Sequence, residues 1–166
     1  MELFTERLRI RYFKRSDLDA YAPIVADPAV MAHVGGVQNR KQARLYLAET
    51  IALGARAGLG RYAVELRASS RLIGFCGFLP TGAYIDFGYR FARDTWGQGI
   101  GLEAARRVRD YGLHDLDIQN MEAIAAVENR ASVKILDKLG FKLRETAEYD
   151  GVPSVRFRDR IIAADV

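Results

Sequence analysis

The apolar positions in the first third of the chain predict one strand followed by two helices. Apolar and polar side chains alternate from Leu8 to Phe13, which is the period of a β-strand. Ser16 is placed to cap a helix that reaches Val25. Asn39 and Gln42 have the spacing of a capping box, and apolar residues recur at helical intervals after them. We therefore expect the chain to open in the order β-α-α.

The middle of the chain contains three apolar segments separated by short polar links. Each has the length and composition of a strand. The links are too short to carry a crossover, so neighbouring strands must run antiparallel. The three predicted strands are Arg61 to Leu66, Arg71 to Leu79 and Ala83 to Phe91.

The last third returns to a helical spacing after Gly101 and then to strands. Met121 to Val127 is apolar on both faces, which is typical of a central strand. Asn129 is placed to cap another helix, which Gly140 ends. A closing hairpin is predicted from Lys142 to Tyr149 and Ser154 to Ile162. The order β-α-α-β-β-β-α-β-α-β-β predicts one α/β (α+β) domain over residues 1–166, with a mostly antiparallel sheet of about seven strands and about four helices.

Length and composition agree with a single globular domain. The chain has 166 residues, of which 49% are hydrophobic and 28% are charged. No apolar run approaches the ~18 residues of a membrane span, and Met1 to Arg7 lack the features of a signal peptide. The single Cys76 cannot form a disulfide within its own chain and is expected to pack in the core. We expect a cytoplasmic protein without a membrane partner.

Arginine accounts for most of the positive charge. The net charge of +4 arises from 20 arginines and 5 lysines against 21 acidic residues. A guanidinium group can hold phosphate through two hydrogen bonds, so a phosphorylated ligand is compatible with this composition. The basic residues are scattered among acids, so no nucleic-acid partner is expected. His33, His114 and Cys76 lack metal-ligand spacing, so no metal is expected either.

The segment Trp96-Gly97-Gln98-Gly99-Ile100-Gly101 leads from a predicted strand into a predicted helix. Glycines at alternate positions leave the backbone uncrowded, and the N-terminus of the helix adds about half a positive charge. The segment is therefore a candidate cradle for a phosphate or diphosphate. A Walker A loop is excluded because no Gly-Lys-Ser/Thr follows. The dinucleotide fingerprint is disfavoured because the loop follows an antiparallel meander.

Two segments resemble signatures of the GNAT N-acetyltransferase superfamily. Trp96 to Gly101 is similar to its acyl-CoA diphosphate loop, and Glu128 to Phe141 is similar to its N-x-x-S…K-L-G-F helix. Thr5 to Arg11 and Asp27 to Met31 resemble the branch that acetylates the N-termini of ribosomal proteins. The resemblance implies a splay between the fourth and fifth strands, acetyl-CoA as cosubstrate, an amine acceptor and a monomer or homodimer.

The same resemblance implies which residues bind the cosubstrate. Free backbone groups of Phe91, Ala92 and Arg93 would pair with the pantetheine arm, and the N–H of Phe91 would polarise the thioester carbonyl. Asn129 would cap its helix and also contact the arm, and Ser132 would lie near the thioester. The loop would bind through Trp96, Gly97, Gln98, Gly99, Ile100, Gly101 and Leu102. Cationic contacts to phosphate are expected from among Arg93, Arg106, Arg107, Arg130 and Lys134.

Catalysis requires a base, because an alkyl ammonium with a pKa near ~10.4 holds its proton at neutral pH. Asp86 is the first candidate, in a strand where positions 86 and 88 share one face. Glu128 is the second, and Glu103 is expected to orient the loop. Leu136 stands where many members of the superfamily have a tyrosine general acid, so Ser132 or water would protonate the leaving thiolate.

The acceptor stays open at this stage. A protein N-terminus, a polyamine, an amino sugar and a small amino acid are all compatible with the motifs, and the basic chain favours neutral or small amines. The loop around His33 and the hairpin residues Tyr149, Asp150 and Gly151 are expected to shape acceptor choice. Two alternatives are transfer from another acyl-CoA such as succinyl-CoA, which a basic residue at the acyl end of the cleft would favour, and an acyl-CoA-binding module without catalysis.

Overall fold

The computed structural model describes residues 1–149 and 151–159. Within these residues, eight strands form one open sheet in the order β1-β2-β3-β4-β5-β6-β8-β7. Neighbours run antiparallel except β5 and β6, which are parallel. The strands are β1 (Glu2–Phe4), β2 (Leu8–Arg11), β3 (Arg61–Leu66), β4 (Leu72–Pro80), β5 (Ile85–Phe91), β6 (Met121–Ala126), β7 (Lys142–Tyr149) and β8 (Val152–Arg158).

The mixed, mostly antiparallel α/β fold predicted from the sequence is confirmed, with one strand and one short helix (Pro28–Met31) more than expected. The additional strand, β1, has three residues and pairs antiparallel with β2 at the edge of the sheet. Three residues are too few to show a period in the sequence, and Leu3 is the one that is buried. The closing hairpin turns at Gly151, while Asp150 and the predicted strand residues 160–162 lie outside the described residues.

The helices cover both faces of the sheet. They are α1 (Leu18–Ala26), α2 (Pro28–Met31), α3 (Arg40–Ala57), α4 (Ile100–His114) and α5 (Arg130–Leu139). Buried residues of α1, α2 and α3 pack with Phe75 on one face. Buried residues of α4 and α5 pack with Phe87 and Phe91 on the other face. The two sides of β5 therefore belong to different layers.

Local cap chemistry explains where most of these helices begin. Asn39 and Gln42 form the predicted capping box before α3, and Asn129 caps α5 by accepting the N–H of Ser132 at 3.1 Å. Ser16 is not a cap, contrary to the sequence-based prediction. It lies in a 3-10 turn in which Asp17 accepts the N–H of Lys14 at 2.7 Å.

The predicted splay lies between β5 and β6. Their register includes only Ile85 with Met121 and Asp86 with Glu122 in the described part of the chain. The N–H of Ile85 points to the β6 side, where it donates to Asn120 O at 2.8 Å, whereas the N–H of Ala92 points to the β4 side and donates to Ile73 O at 2.7 Å. Backbone groups of a strand alternate in direction. The N–H groups of residues 87, 89 and 91 therefore face the opening.

Candidate active site

The glycine-rich loop connects the end of β5 to the first turn of α4. Gly97 and Gly99 have φ values of +74° and +77°, in the left-handed region that side-chain-bearing residues rarely adopt. A Cβ on Gly97 would meet nothing within 4 Å, so its backbone conformation and not crowding requires glycine. Residues 96–99 are exposed and Ile100 begins the helix. Exposed N–H groups at a helix N-terminus can bind a diphosphate.

Gly101 has a different role from the two glycines before it. A Cβ there would lie 3.1 Å from Ile135 Cδ1 and 3.5 Å from Phe91 Cε2. This glycine therefore lets α4 approach α5 and the end of β5. The close approach packs the first turn of α4 against the middle of α5.

The turn between β1 and β2 clamps the loop, a contact that the sequence analysis did not predict. Arg7 Nη1 donates to Gln98 O at 2.9 Å, and Arg7 Nε donates to Glu103 Oε2 at 2.6 Å. Thr5 donates to the other carboxylate oxygen of Glu103. Burial raises the pKa of Glu103, but the hydrogen bonds from Thr5 and Arg7 outweigh it and hold the pKa below its ordinary value. Glu103 thus orients the loop through Arg7, which lies beside the candidate diphosphate site.

The backbone at the end of β5 is less available than the sequence analysis assumed. The Ala92 N–H is bonded to Ile73 O, and Ala92 O accepts from both the N–H and the hydroxyl of Thr95. This corrects the prediction for Ala92, because its N–H points away from the splay. The backbone carbonyl of the exposed Arg93 accepts a hydrogen bond from the N–H of Trp96. The Trp96 indole donates to Phe91 O at 2.9 Å and so anchors the loop to the strand.

A cavity of about 400 Å³ runs through the splay. It brings together side chains from both layers of the fold. Among the residues singled out in the sequence, its lining includes His33, Asp86, Asn129, Ser132, Leu136 and Tyr149. Gly151 and Phe91 are not in the lining, as far as the described residues show, whereas Tyr89 is.

Asp86 forms an ion pair with Arg61, a residue that the sequence analysis did not identify. Arg61 Nη2 donates to Asp86 Oδ2, and Nη1 donates to Gly77 O at 2.6 Å and to Asp86 O at 3.1 Å. Burial acts to lower the pKa of Arg61, but the nearby Asp86 carboxylate holds it above its ordinary value. The guanidinium lies over Gly88, where a Cβ would come within 2.7 Å of Nη1. The absence of a side chain at Gly88 therefore permits this ion pair.

Two hydroxyl groups meet on the other side of the splay. Ser132 Oγ donates to Tyr89 OH at 3.0 Å, and Tyr89 OH donates to Ser132 O at 3.0 Å. Burial raises the pKa of Tyr89 well above its ordinary value, although the bond with Ser132 acts in the opposite direction. Tyr89 therefore keeps its proton at neutral pH. Leu136 is buried against the same cavity and supplies no hydroxyl.

The role of Glu128 as second base stays a prediction. Glu128 is exposed in the turn after β6 and is not in the described lining of the cavity. The acidic residue across the ladder from Asp86 is Glu122, which is buried and ion-paired with Arg156 and Arg158. Sequence alone gave no sign of that pairing.

The other predicted residues are distributed as follows. Arg93, Arg106, Arg130 and Lys134 are exposed, so their contact with phosphate stays a prediction. Cys76 packs in the core, as expected, and burial raises the pKa of its thiol. In the described ranges, no group of three potential ligands could hold a metal ion. None of the helices described there has the length and apolar character needed to cross a membrane.

The chain is similar to known acetyltransferases along most of its length. Residues 7–142 match the family described as acetyltransferase (GNAT) domain. The uncharacterized N-acetyltransferase p20 of Bacillus licheniformis is 29% identical over 145 residues, which cover 84% of this chain and 82% of that protein.

Solved structures share the fold at lower identity. An acetyltransferase from Agrobacterium tumefaciens str. C58 has a TM-score of 0.84 and 23% identity, with 95% of this chain and 93% of that chain covered. RimL, a ribosomal L7/L12 alpha-N-protein acetyltransferase in complex with coenzyme A, has a TM-score of 0.83 and 22% identity, with 99% and 100% covered.

Proposed function

Because this chain belongs to the GNAT acetyltransferase family, we propose that it transfers the acetyl group of acetyl-CoA to a primary amine by direct attack in a ternary complex. One observation carries the proposal: the exposed loop with left-handed Gly97 and Gly99 ends β5 where the sheet opens into a cavity. A diphosphate held by this loop would direct an extended thioester along β5 into that cavity. Cytoplasmic location and a monomer or homodimer stay predictions.

The loop residues 96–102 would bind the diphosphate through backbone N–H groups, with Arg7 as an added cation. The N–H of Phe91 faces the splay and is available to the pantetheine arm, whereas that of Ala92 is not. Asn129 and Ser132 would contact the arm from the α5 side, because both line the cavity. Acetyl-CoA is the only cofactor that the proposal requires.

We assign polarisation of the thioester carbonyl to the N–H of Tyr89 instead of Phe91. Both groups face the splay, but only Tyr89 is in the described lining of the cavity. A strand rises about 3.3 Å per residue, so Asp86 lies about 16 Å from Phe91 along β5 and about 10 Å from Tyr89. The shorter separation lets the base and the thioester serve one acceptor.

The transfer forms a nitrogen–carbon bond and breaks the carbon–sulfur bond, whose electron pair leaves on sulfur. The acceptor ammonium loses two protons in total. One passes to Asp86, directly or through water, and then to solvent. The other is balanced by the proton that the thiolate sulfur takes up, for which the Ser132–Tyr89 hydroxyl pair is the proposed donor. A thiol has a pKa near ~8.5, so the thiolate leaves with little help and Leu136 does not prevent catalysis.

The proposal is tested by following free thiol while acetyl-CoA is mixed with peptide N-termini, polyamines, aminoglycosides and amino acids. Release of thiol that depends on one class of amine is the expected result. Calorimetry measures coenzyme A binding separately. Binding without thiol release from any amine would favour an acyl-CoA-binding module and overturn the proposed transfer.

The Tyr89→Phe variant tests the assignment of the proton donor. It keeps the ring that stacks on Phe91 and removes only the hydroxyl. Turnover should fall by less than about tenfold below pH ~8.5 and recover above it, because the thiolate then needs no proton. A loss that is the same at every pH would show that the hydroxyl has a structural role instead.

A further inference from the structure

The acceptor side of the cavity carries one more positive charge than negative charge. Its described lining contains three charged side chains, those of Arg61, Asp86 and Arg90. Arg61 is neutralised by its ion pair with Asp86. Among the described residues, no carboxylate pairs with Arg90. The excess charge of the cavity is therefore the guanidinium of Arg90.

Arg90 is held by aromatic rings and not by an acid. Its Cζ lies 5.3 Å from the centroid of Phe75, and Arg61 Cζ lies 5.7 Å from the same centroid. Tyr21 is a second aromatic neighbour of Arg90. Burial raises the pKa of Tyr21 far above its ordinary value, although the nearby Arg90 acts to lower it, so this tyrosine is neutral. A partly buried cation without a carboxylate partner among the described residues gains much from an anionic ligand, because surrounding water is limited.

The strand geometry directs Arg90 toward the acceptor. Alternate residues of β5 share a face, so Arg90 lies on the face of Asp86 and Gly88. That face belongs to the layer of α1 and α3, opposite the α4 layer where the phosphate loop begins. Arg90 also follows Tyr89 directly, so a group bound to it would lie close to the proposed thioester position.

We propose that the amine acceptor carries a carboxylate and that Arg90 binds it. The inference rests on the proposed acyl transfer and specifies the acceptor: an amino acid or a similar small amine with an acidic group. A guanidinium presents a planar fork that matches a carboxylate through two hydrogen bonds, which fixes the orientation of the acceptor. Polyamines and amino sugars are disfavoured, because each would bring further positive charge to Arg90.

A carboxylate on the acyl chain of the donor is the other source of the same chemistry. The position of Arg90 on the α1 and α3 face favours the acceptor, because the donor would enter from the α4 layer with its acyl carbon at the strand edge. Experiments with both kinds of substrate distinguish the two sources.

The experiment compares pairs of amines that differ only at the acid: amino acids and their carboxamides, assayed by thiol release from acetyl-CoA. We expect the acids to have at least tenfold higher kcat/KM than the amides. Arg90→Gln should raise KM for the acids at least tenfold and abolish the preference, while Arg90→Lys keeps part of it. The dissociation constant of coenzyme A should stay within twofold in both variants. Equal rates for acids and amides in the native protein would overturn the proposal.

Binding measurements keep the proposal testable if none of the chosen amines reacts. N-acetyl amino acids resemble the products, and calorimetry in the presence of coenzyme A should detect them more tightly than their amides, in an Arg90-dependent way. Failure of this binding, with coenzyme A still bound, overturns the acceptor proposal and leaves acyl transfer in place. An Arg90-dependent preference for succinyl-CoA over acetyl-CoA with a neutral amine would assign the carboxylate to the donor and also overturn it.

Discussion

Gly97→Ala should weaken coenzyme A binding by straining the loop without filling the site. Gly97 has φ +74° and no atom within 4 Å of an added Cβ, so alanine fits sterically but must hold a left-handed backbone. Holding an L-residue there costs roughly 1–2 kcal/mol. If the free loop relaxes to avoid that cost, coenzyme A binding must restore the left-handed conformation and loses the same free energy. About 1.4 kcal/mol corresponds to a tenfold change in dissociation constant. We expect a rise of roughly five- to thirtyfold.

The chain offers a matched control for this substitution. Gly140, after α5, has φ +88° and also has nothing within 4 Å of an added Cβ. Gly140→Ala should lower the free energy of unfolding, measured in urea, by a similar 1–2 kcal/mol. Its affinity for coenzyme A, measured by calorimetry, should stay unchanged. Native affinity in Gly97→Ala, together with a normal loss in the control, would refute the idea that this loop conformation holds the diphosphate.

Three further predictions concern the base, the loop clamp and acid stability. Asp86→Asn should reduce kcat more than coenzyme A affinity, with the loss greatest below the pKa of the amine; a fully active variant would exclude Asp86 as the base. Arg7→Ala should weaken coenzyme A binding several-fold by calorimetry, whereas the equally surface-located Arg9→Ala should not; equal effects would point to general charge. Burial raises the pKa of Asp17, but hydrogen bonds from Arg11 hold it below its ordinary value, so its stabilising contribution is present above pH ~4 and is lost as pH falls. Urea unfolding from pH 3 to 7 should show this loss, and Asp17→Asn should flatten it; a constant difference between the two proteins would contradict the assignment.

The features that the sequence predicted well are those that depend on neighbouring residues. The capping box at Asn39, the cap at Asn129 and the glycine turn that opens α4 each depend on a few adjacent residues, so local spacing defines their conformation. The order of strands follows from short links for the same reason. Ser16 shows the limit, because Arg11 of β2, six residues before Asp17, binds the Asp17 carboxylate, and the spacing rules for helix caps do not include such a side-chain pair.

Contacts within the site depend on long-range pairing and were missed. Arg61 and Asp86 are 25 residues apart, Tyr89 and Ser132 are 43 apart, and Arg7 and Gln98 are 91 apart. Sheet register and helix packing bring these pairs together, and spacing along the chain does not reveal either. A partial signal was present: the alternation that placed residues 86 and 88 on one face also places Arg90 there.

Strand β5 separates three tasks by the direction in which its groups point. Phe87 and Phe91 face the α4 layer and are buried in its core. The N–H groups of alternate residues face the splay, where the donor would bind. Asp86 and Arg90 face the opposite layer, where the acceptor would bind. Because a one-residue slip would exchange the two faces, the core residues fix the register that positions the chemistry. A change of acceptor specificity at position 90 would therefore leave intact the packing that holds the donor site.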